Sequence, residues 1–386
     1  MIYYGRQDIN ETDIQAVEEV LRSDFLTQGP AIERFEGKVA EYCGARYAVA
    51  VTNATSALHI ACLAAGIGKG DLVWTTPITF TASANCARYC GADVDFVDID
   101  ADTYNMSVDA LEEKLQTAKK QGRLPNLVIP VHLAGQSCDM KRMKALSEAY
   151  GFRLLEDASH AIGADYADGK VGNCAFSDMV VFSFHPVKII TTGEGGMVLT
   201  NDKMLYEKLN LYRSHGITRD AAKMSHESDG PWYYQQITLG YNYRMTDIQA
   251  ALGASQMERI DALVARRRSL VARYNTALQD FPVKTPYVME GADPSWHIYI
   301  VRIDSANVTK TKQEIFAEMA QKGVALNLHY IPVHTQPYYE ALGHRPEECP
   351  NAMDYYHEAL TLPLYPGLTD DEQDQVVESF GKVLAV

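Results

Sequence analysis

The sequence predicts an α/β fold: a large, mostly parallel sheet covered by helices, followed by a smaller α+β unit. Three observations predict it. Short apolar runs alternate with helical periods between residues 47 and 199, the pattern of a parallel sheet with both faces covered. The polar residues that stand out in this region come directly after those runs, and open α/β sheets bind ligands at the carboxyl ends of their strands. After Thr246 the pattern changes to a long helical period and then a separate strand–helix set. A chain of 386 residues exceeds one ordinary core. The expected division puts residues 1–245 in the large domain with its N-terminal helices. Residues 246–386 form a connecting helix and a small C-terminal domain.

Asn10 stands before Glu11-Thr12-Asp13, with Ile14, Val17, Val20 and Leu21 at helical spacing, which makes a capped amphipathic helix. Phe25-Leu26-Thr27-Gln28-Gly29-Pro30 breaks it, and a second helix over 31–42 stops near Gly44. Tyr47-Ala48-Val49-Ala50-Val51 is a short buried strand. It leads into Thr52-Asn53-Ala54-Thr55-Ser56 at the start of a helix that ends near Gly66. Free N–H groups and the helix dipole make such a start an anion site, to which Thr55 and Ser56 add hydroxyl donors. Plain helix capping is the alternative. The strand at 71–76 is followed by Pro77-Ile78-Thr79-Phe80-Thr81 and a helix through Ala87. Further strands fall at 94–98, 127–131 and 152–157, with a helix over 140–150. Asp157 ends its strand, and Ala158-Ser159-His160-Ala161 follow.

The segment Val180-Val181-Phe182-Ser183-Phe184-His185-Pro186-Val187-Lys188 runs on through Gly193-Glu194-Gly195-Gly196 to Met197-Val198-Leu199. It reads as strand, turn, Gly-rich loop, strand. A lysine enclosed in that turn is a candidate Schiff-base nucleophile, because desolvation lowers the amine's pKa and frees its lone pair. A lysine in an exposed loop is the alternative. The glycines suit a site that needs close backbone approach.

A helix is expected over 204–212, then a polar irregular stretch from 214 to 236 of functional or interfacial type. Thr246 caps the next helix, and the period from Ile248 to Leu278 predicts one long helix bridging the domains. The small domain has a strand at 297–303, a helix over 312–322 and a strand over 324–329. Two C-terminal helices end it, one before Leu362 and one after Leu368. Tyr330-Ile331-Pro332-Val333-His334-Thr335-Gln336-Pro337-Tyr338-Tyr339 reads either as a loop facing a ligand or as an ordinary turn.

A net charge of −15 argues against a nucleic-acid or anionic-membrane partner, so an anionic ligand must be met by local donors. The first residues carry no apolar signal region, and no run approaches a membrane span. The seven cysteines are scattered without CxxC or zinc spacing. A cytoplasmic protein without a metal is expected. Lys188, the strand-end carboxylate Asp157, the helix start at Thr55 and Ser56, and the aromatic Phe80 together form the set that pyridoxal 5′-phosphate (PLP) needs. The lysine attaches the cofactor, the carboxylate keeps the pyridine nitrogen protonated, the helix start holds the phosphate, and the aromatic stacks.

Four blocks carry a family resemblance. They are Glu156-Asp157-Ala158-Ser159-His160-Ala161-Ile162-Gly163, Ser183-Phe184-His185-Pro186-Val187-Lys188, Thr192-Gly193-Glu194-Gly195-Gly196 and Leu239-Gly240-Tyr241-Asn242-Tyr243-Arg244-Met245-Thr246-Asp247. In order and spacing the chain resembles the DegT/DnrJ/EryC1 family of sugar-nucleotide aminotransferases, from Thr27 to the C-terminal helices. The resemblance implies PLP fold type I, the aspartate aminotransferase-like architecture. It implies that Lys188 binds PLP covalently and shuttles the proton, and that Asp157 pairs with the pyridine nitrogen. Thr55, Ser56 and Ser183 would bind the phosphate, Phe80 would stack on the ring, and His160 would sit beside it where many relatives have Gln. Asn242 belongs to a block that reaches the neighbouring subunit's phosphate, which implies a homodimer with shared active sites. Some members replace the lysine with histidine and become dehydratases; this chain keeps Lys188, which favours transamination.

Phe25-Leu26-Thr27-Gln28-Gly29-Pro30, Asp102-Thr103-Tyr104-Asn105-Met106-Ser107, Asp229-Gly230-Pro231-Trp232 and His185-Pro186-Val187-Lys188-Ile189-Ile190 are most similar to the pseudaminic-acid branch of the family. The resemblance implies amination, with L-glutamate as donor, at C4 of a UDP-linked 4-keto-6-deoxy-N-acetylhexosamine. Arg244, His329 and Tyr330 are the expected substrate contacts. Rival readings are a bacillosamine, perosamine or 4-amino-arabinose type C4 enzyme, a C3 aminotransferase, and a silent PLP-binding regulator. A nicotinamide dehydrogenase lacks its GxGxxG after the first strand.

Overall fold

Seven short apolar segments pair into the central sheet: β1 (Tyr47–Val51), β2 (Leu72–Thr75), β3 (Asp93–Phe96), β4 (Leu127–Ile129), β5 (Arg153–Asp157), β6 (Met179–Ser183) and β7 (Gly196–Thr200). The structure is a computed structural model and describes residues 1–167 and 169–385. The sheet order is β1-β7-β6-β5-β4-β2-β3. Its pairs are parallel from β3 through β2, β4 and β5 to β6, and β7 alone runs against its neighbours β6 and β1. Alternate residues of β6 enter different cores. Val180 and Phe182 join Phe35, Trp74 and Leu111 on one face, while Met179 and Val181 join Ile60, Ile129 and Leu155 on the other. Both faces being buried is why these strands read as unbroken apolar runs.

The helices of eight or more residues are, in chain order, α1 (Glu11–Leu21), α2 (Pro30–Cys43), α3 (Ala54–Ala64), α4 (Ala82–Tyr89), α5 (Val108–Gln121), α6 (Met140–Tyr150), α7 (Lys203–Arg213), α8 (Asp247–Met257), α9 (Ile260–Ala277), α10 (Lys312–Gln321), α11 (Pro350–Glu358) and α12 (Asp370–Leu384). Asn10 and Asp13 form a capping box on α1, and Thr246 with Gln249 forms another on α8. Gly44, with φ +77, ends α2. A small antiparallel sheet, β8 (Val283–Lys284), β9 (Tyr299–Ile303) and β10 (Ala359–Leu362), packs with Val271, Tyr274, Leu360 and Phe380 in a third core. Among the described residues no helix is long and apolar enough to cross a membrane.

The structure corrects the sequence reading in three places. The single long helix expected over 248–278 is two helices, broken at Glu258 and Arg259. Arg259 has φ −125 there, and its guanidinium binds Asp8 and Asp13. Ala250, Ala254 and Met257 of α8 and Ile260, Leu263 and Val264 of α9 join the core under the large sheet, while Leu270, Val271 and Tyr274, further along α9, join that of the small sheet. The strand expected over 324–329 is reduced to two isolated bridges, Ile2 with Val324 and Asn327 with Thr361. The Asn327 side chain accepts from the Leu328 N–H at 2.8 Å, a local bond that competes with a ladder. Helix α5 and strand β10 were not anticipated. Helix α5 has the Ser107 cap, Leu111, Leu115 and Ala118 on its buried face, and Gly122 at its end, a legible pattern that went unread.

Candidate active site

The carboxyl ends of β5 and β6 meet the loop before β7 and the start of α4. Asp157, the last residue of β5, is buried. Its Oδ2 accepts from the Ser83 hydroxyl at 2.6 Å, and its Oδ1 accepts from the Ser159 hydroxyl at 2.6 Å and the Ser159 N–H at 3.1 Å. The Ser83 proton being committed to the carboxylate, Thr79 donates to Ser83 at 2.7 Å. Helix α4 therefore anchors one side of Asp157 and an Asx-type turn the other, so the carboxylate has one orientation.

Lys188 follows β6 in a turn that its own N–H closes on the His185 carbonyl at 2.9 Å. As a residue it is half-buried. Desolvation of the amine, opposed by the charge of Asp157, brings its pKa down to about 8. Its Nζ lies 3.4 Å from His297 Nε2. His160 Nδ1 accepts from the Ala134 N–H at 3.3 Å, so the proton sits on Nε2, which donates to the Tyr330 hydroxyl at 3.0 Å. Burial first, then the charge of Lys188, holds the His160 and His297 imidazoles well below their ordinary range. The same two causes put His329 at about 3. His329 Nδ1 bonds the Thr361 hydroxyl at 2.9 Å. Burial pushes the Tyr330 hydroxyl upward, so it stays protonated. Lys188 is thus ringed by neutral imidazoles, with one carboxylate in range.

Helix α3 begins beside the loop that ends in β7. Asn53 Oδ1 caps it by accepting from the Ser56 N–H at 2.8 Å, which uses that donor. The Ala54 and Thr55 N–H groups, at the first two helical positions, have no intrahelical acceptor. The segment is capped, and its first two N–H groups are left without an intrahelical partner. Gly196 lets the approach happen, because a Cβ there would sit 2.5 Å from the Asn53 carbonyl carbon and 2.6 Å from the Ala54 nitrogen. Ser183 is buried at the end of β6, with its Oγ 3.5 Å from the His185 N–H. Phe80 is 61% exposed, its ring 6.3 Å from that of Tyr330.

The structure brings Phe80, Asp157, His160, Ser183, Lys188, His329 and Tyr330 to one side of the sheet, next to Thr55 and Ser56 across Gly196. The segment of Asn242 and Arg244 lies along the end of β1: Arg244 bridges Val51, Asn242 bridges Ser214, and the Thr52 N–H bonds the Tyr243 carbonyl at 2.8 Å. Asn242 is exposed, and Arg244 lines a groove with Gln28, Glu36 and Arg213. Sequence reasoning missed Ser83, Thr79, Ser159 and His297. Ser159 carried a readable signal, a hydroxyl two residues after an aspartate. The others meet the site only through folding.

A fixed carboxylate, an amine with a lowered pKa, neutral imidazoles and unpaired N–H groups at a helix start fit PLP. Comparison with known proteins agrees. The family described as DegT/DnrJ/EryC1/StrS aminotransferases matches residues 7–381. The spore coat polysaccharide biosynthesis protein SpsC of Bacillus subtilis (strain 168) is 39% identical over 379 residues, 97% of this chain and 95% of SpsC. PseC of Helicobacter pylori, an aminotransferase of pseudaminic acid biosynthesis, superposes with a TM-score of 0.90 at 30% identity, covering 100% of this chain and 99% of PseC. Spr1654 of Streptococcus pneumoniae, described as a sugar aminotransferase and solved in PLP and PMP forms, gives 0.89 at 31% identity for the PMP form, covering 99% and 98%. The chain therefore belongs to the DegT/DnrJ/EryC1/StrS aminotransferase family and is a PLP-dependent sugar aminotransferase of fold type I.

Proposed function

We propose that the chain transfers the amino group of L-glutamate to C4 of a UDP-linked 4-keto-6-deoxy-N-acetylhexosamine. The product is UDP-4-amino-4,6-dideoxy-N-acetyl-β-L-altrosamine, an intermediate of pseudaminic acid synthesis. The observation that carries transamination is Lys188, its amine eased toward the free base and facing Asp157. The likeness to PseC supports the substrate. When bound, PLP supplies an electron sink for the substrate carbon. Asp157, held by Ser83 and Ser159, orients the pyridine ring and pairs its nitrogen. Thr55, Ser56 and Ser183, with the free N–H groups of α3, hold the phosphate. Phe80 would cover the ring, and His160, fixed by Ala134 and Tyr330, would lie beside it. Lys188 Nζ takes a proton as base and returns it as acid. His329, Tyr330 and Arg244 contact the sugar nucleotide.

SpsC favours a second reading, in which the keto-sugar belongs to another surface polysaccharide. The experiment supplies purified protein, PLP and glutamate with ketones made from UDP-N-acetylglucosamine by a C5-inverting or a non-inverting 4,6-dehydratase. Mass spectrometry then reads the products. Amination of the inverted L-arabino ketone alone is expected. Amination of the D-xylo ketone alone overturns the pseudaminic assignment and leaves the aminotransferase intact.

The active site is proposed to be shared in a homodimer, with Asn242 of one copy reaching the phosphate of the other. Its exposure, next to Leu239 at 73% exposed, supports this. Mixing Lys188→Ala and Asn242→Ala chains is expected to restore activity in part of the heterodimers. Verified heterodimers without any rescue would exclude the shared arrangement.

A further inference from the structure

We propose that His297 is a positioning residue for the proton shuttle: its Nε2 accepts a hydrogen bond from the Lys188 ammonium and aims the amine whenever Lys188 is not covalently engaged. This rests on the reading of Lys188 as the catalytic lysine. The contact is 3.4 Å, and His297 is 2% exposed.

The backbone around His297 is held from three sides. Its N–H donates to the Ala134 carbonyl at 2.9 Å. Its carbonyl accepts from Arg267 at 3.0 Å, and the same guanidinium nitrogen donates to Trp296 O at 3.2 Å and Leu364 O at 3.1 Å. Arg267 is fully buried, and its Nη1 serves these three carbonyls with no carboxylate acceptor. Trp296 takes φ +55, a conformation a tryptophan rarely adopts. The His160 ring, 4.4 Å away and tilted by 54°, limits rotation of the imidazole. An unusual backbone and a buried arginine thus converge on the placement of one ring against Lys188.

The direction of the bond follows from the charges. Asp157, His160, His297 and His329 face Lys188, His185 lies within reach of its charge, and Asp157 is the anion among them. At neutral pH the amine carries its proton and the imidazole does not, so Lys188 donates and Nε2 accepts. The ring proton then sits on Nδ1, which is buried without a hydrogen-bond partner. While Lys188 carries the shuttled proton, Nε2 is the acceptor that keeps the ammonium in place.

The test labels Lys188 in the PLP-free protein with acetic anhydride across pH and reads the peptide by mass spectrometry. The wild-type midpoint is expected near pH 8. His297→Phe removes the acceptor while keeping an aromatic ring, and is expected to lower the midpoint by about one unit, since the bond favours the charged form. His297→Gln, whose amide oxygen accepts, is expected to restore it. In the loaded enzyme His297→Phe slows the glutamate half-reaction about tenfold with KM unchanged. A folded His297→Phe with the wild-type midpoint overturns the proposal, as does Gln behaving like Phe. Nitrogen-15 shifts of wild-type His297 provide a check that needs no variant: a proton on Nδ1 supports the acceptor role, and one on Nε2 overturns it. The labelling and nitrogen-15 readouts do not depend on turnover, so failure there is distinguishable from failure of Lys188→Ala to abolish activity.

Discussion

Lys188→Ala is expected to fold, to bind PLP without a covalent link, and to lose transamination by at least about a thousandfold, because the proposed attachment point and general acid–base disappear together. Borohydride treatment followed by dialysis separates the forms: the wild type keeps the cofactor on the chain and the variant releases it. Full turnover by the variant would remove Lys188 from the mechanism. The wild type also has a pH signature. The folded pKa of about 8 lies below the ordinary 10.5, so between those values the unfolded chain binds more protons than the folded one. Stability from this group therefore rises with pH across that window and is absent below it. The basic form that accepts the proton grows through the same midpoint. In the PLP-free protein, covalent capture of added PLP by Lys188 is expected to speed up as pH passes 8, measured by the absorbance of the bound cofactor.

Asp157→Ala is the second large effect. It removes a buried carboxylate opposite the proposed pyridine nitrogen and leaves Ser83 and Ser159 without their acceptor. Loss of such a pairing costs about 3–4 kcal/mol, roughly a hundredfold to a thousandfold in rate per bound PLP. Cofactor retention on dialysis falls with it. Asp157→Asn separates charge from packing, since the amide fills the same volume and keeps an accepting oxygen for Ser83 or Ser159. The Asn variant is expected to stay as stable as the wild type in thermal melts and to be nearly as slow as the Ala variant. An Asn variant with wild-type turnover would show that the negative charge is not needed.

The central sheet and its carboxyl edge were legible because each strand announces itself locally. Fully buried strands are continuous apolar runs, and the residues after them are conspicuous by contrast. Asp157 and Lys188 were found this way. The chain after Thr246 was less legible. The period from Ile248 to Leu278 is continuous in sequence, yet the helix breaks where Arg259 is drawn to Asp8 and Asp13, residues far away in the chain. Residues 324–329 have strand-like composition but find only single-residue partners in Ile2 and Thr361.

The α/β class, the family and the candidate carboxylate and lysine were readable in the sequence by itself, because these depend on period, strand ends, fixed local spacing and the four blocks. Only the tertiary structure decided what holds them. Ser83 meets Asp157 across two helix–strand units, and His297 meets Lys188 from the start of the small sheet under the grip of Arg267. The physical reason is range. A helix cap or a strand period acts within a few residues, whereas a hydrogen bond between residues far apart in the chain exists only after the cores between them have packed. The amine's lowered pKa is of the same kind, since desolvation belongs to the folded surroundings and not to any stretch of chain.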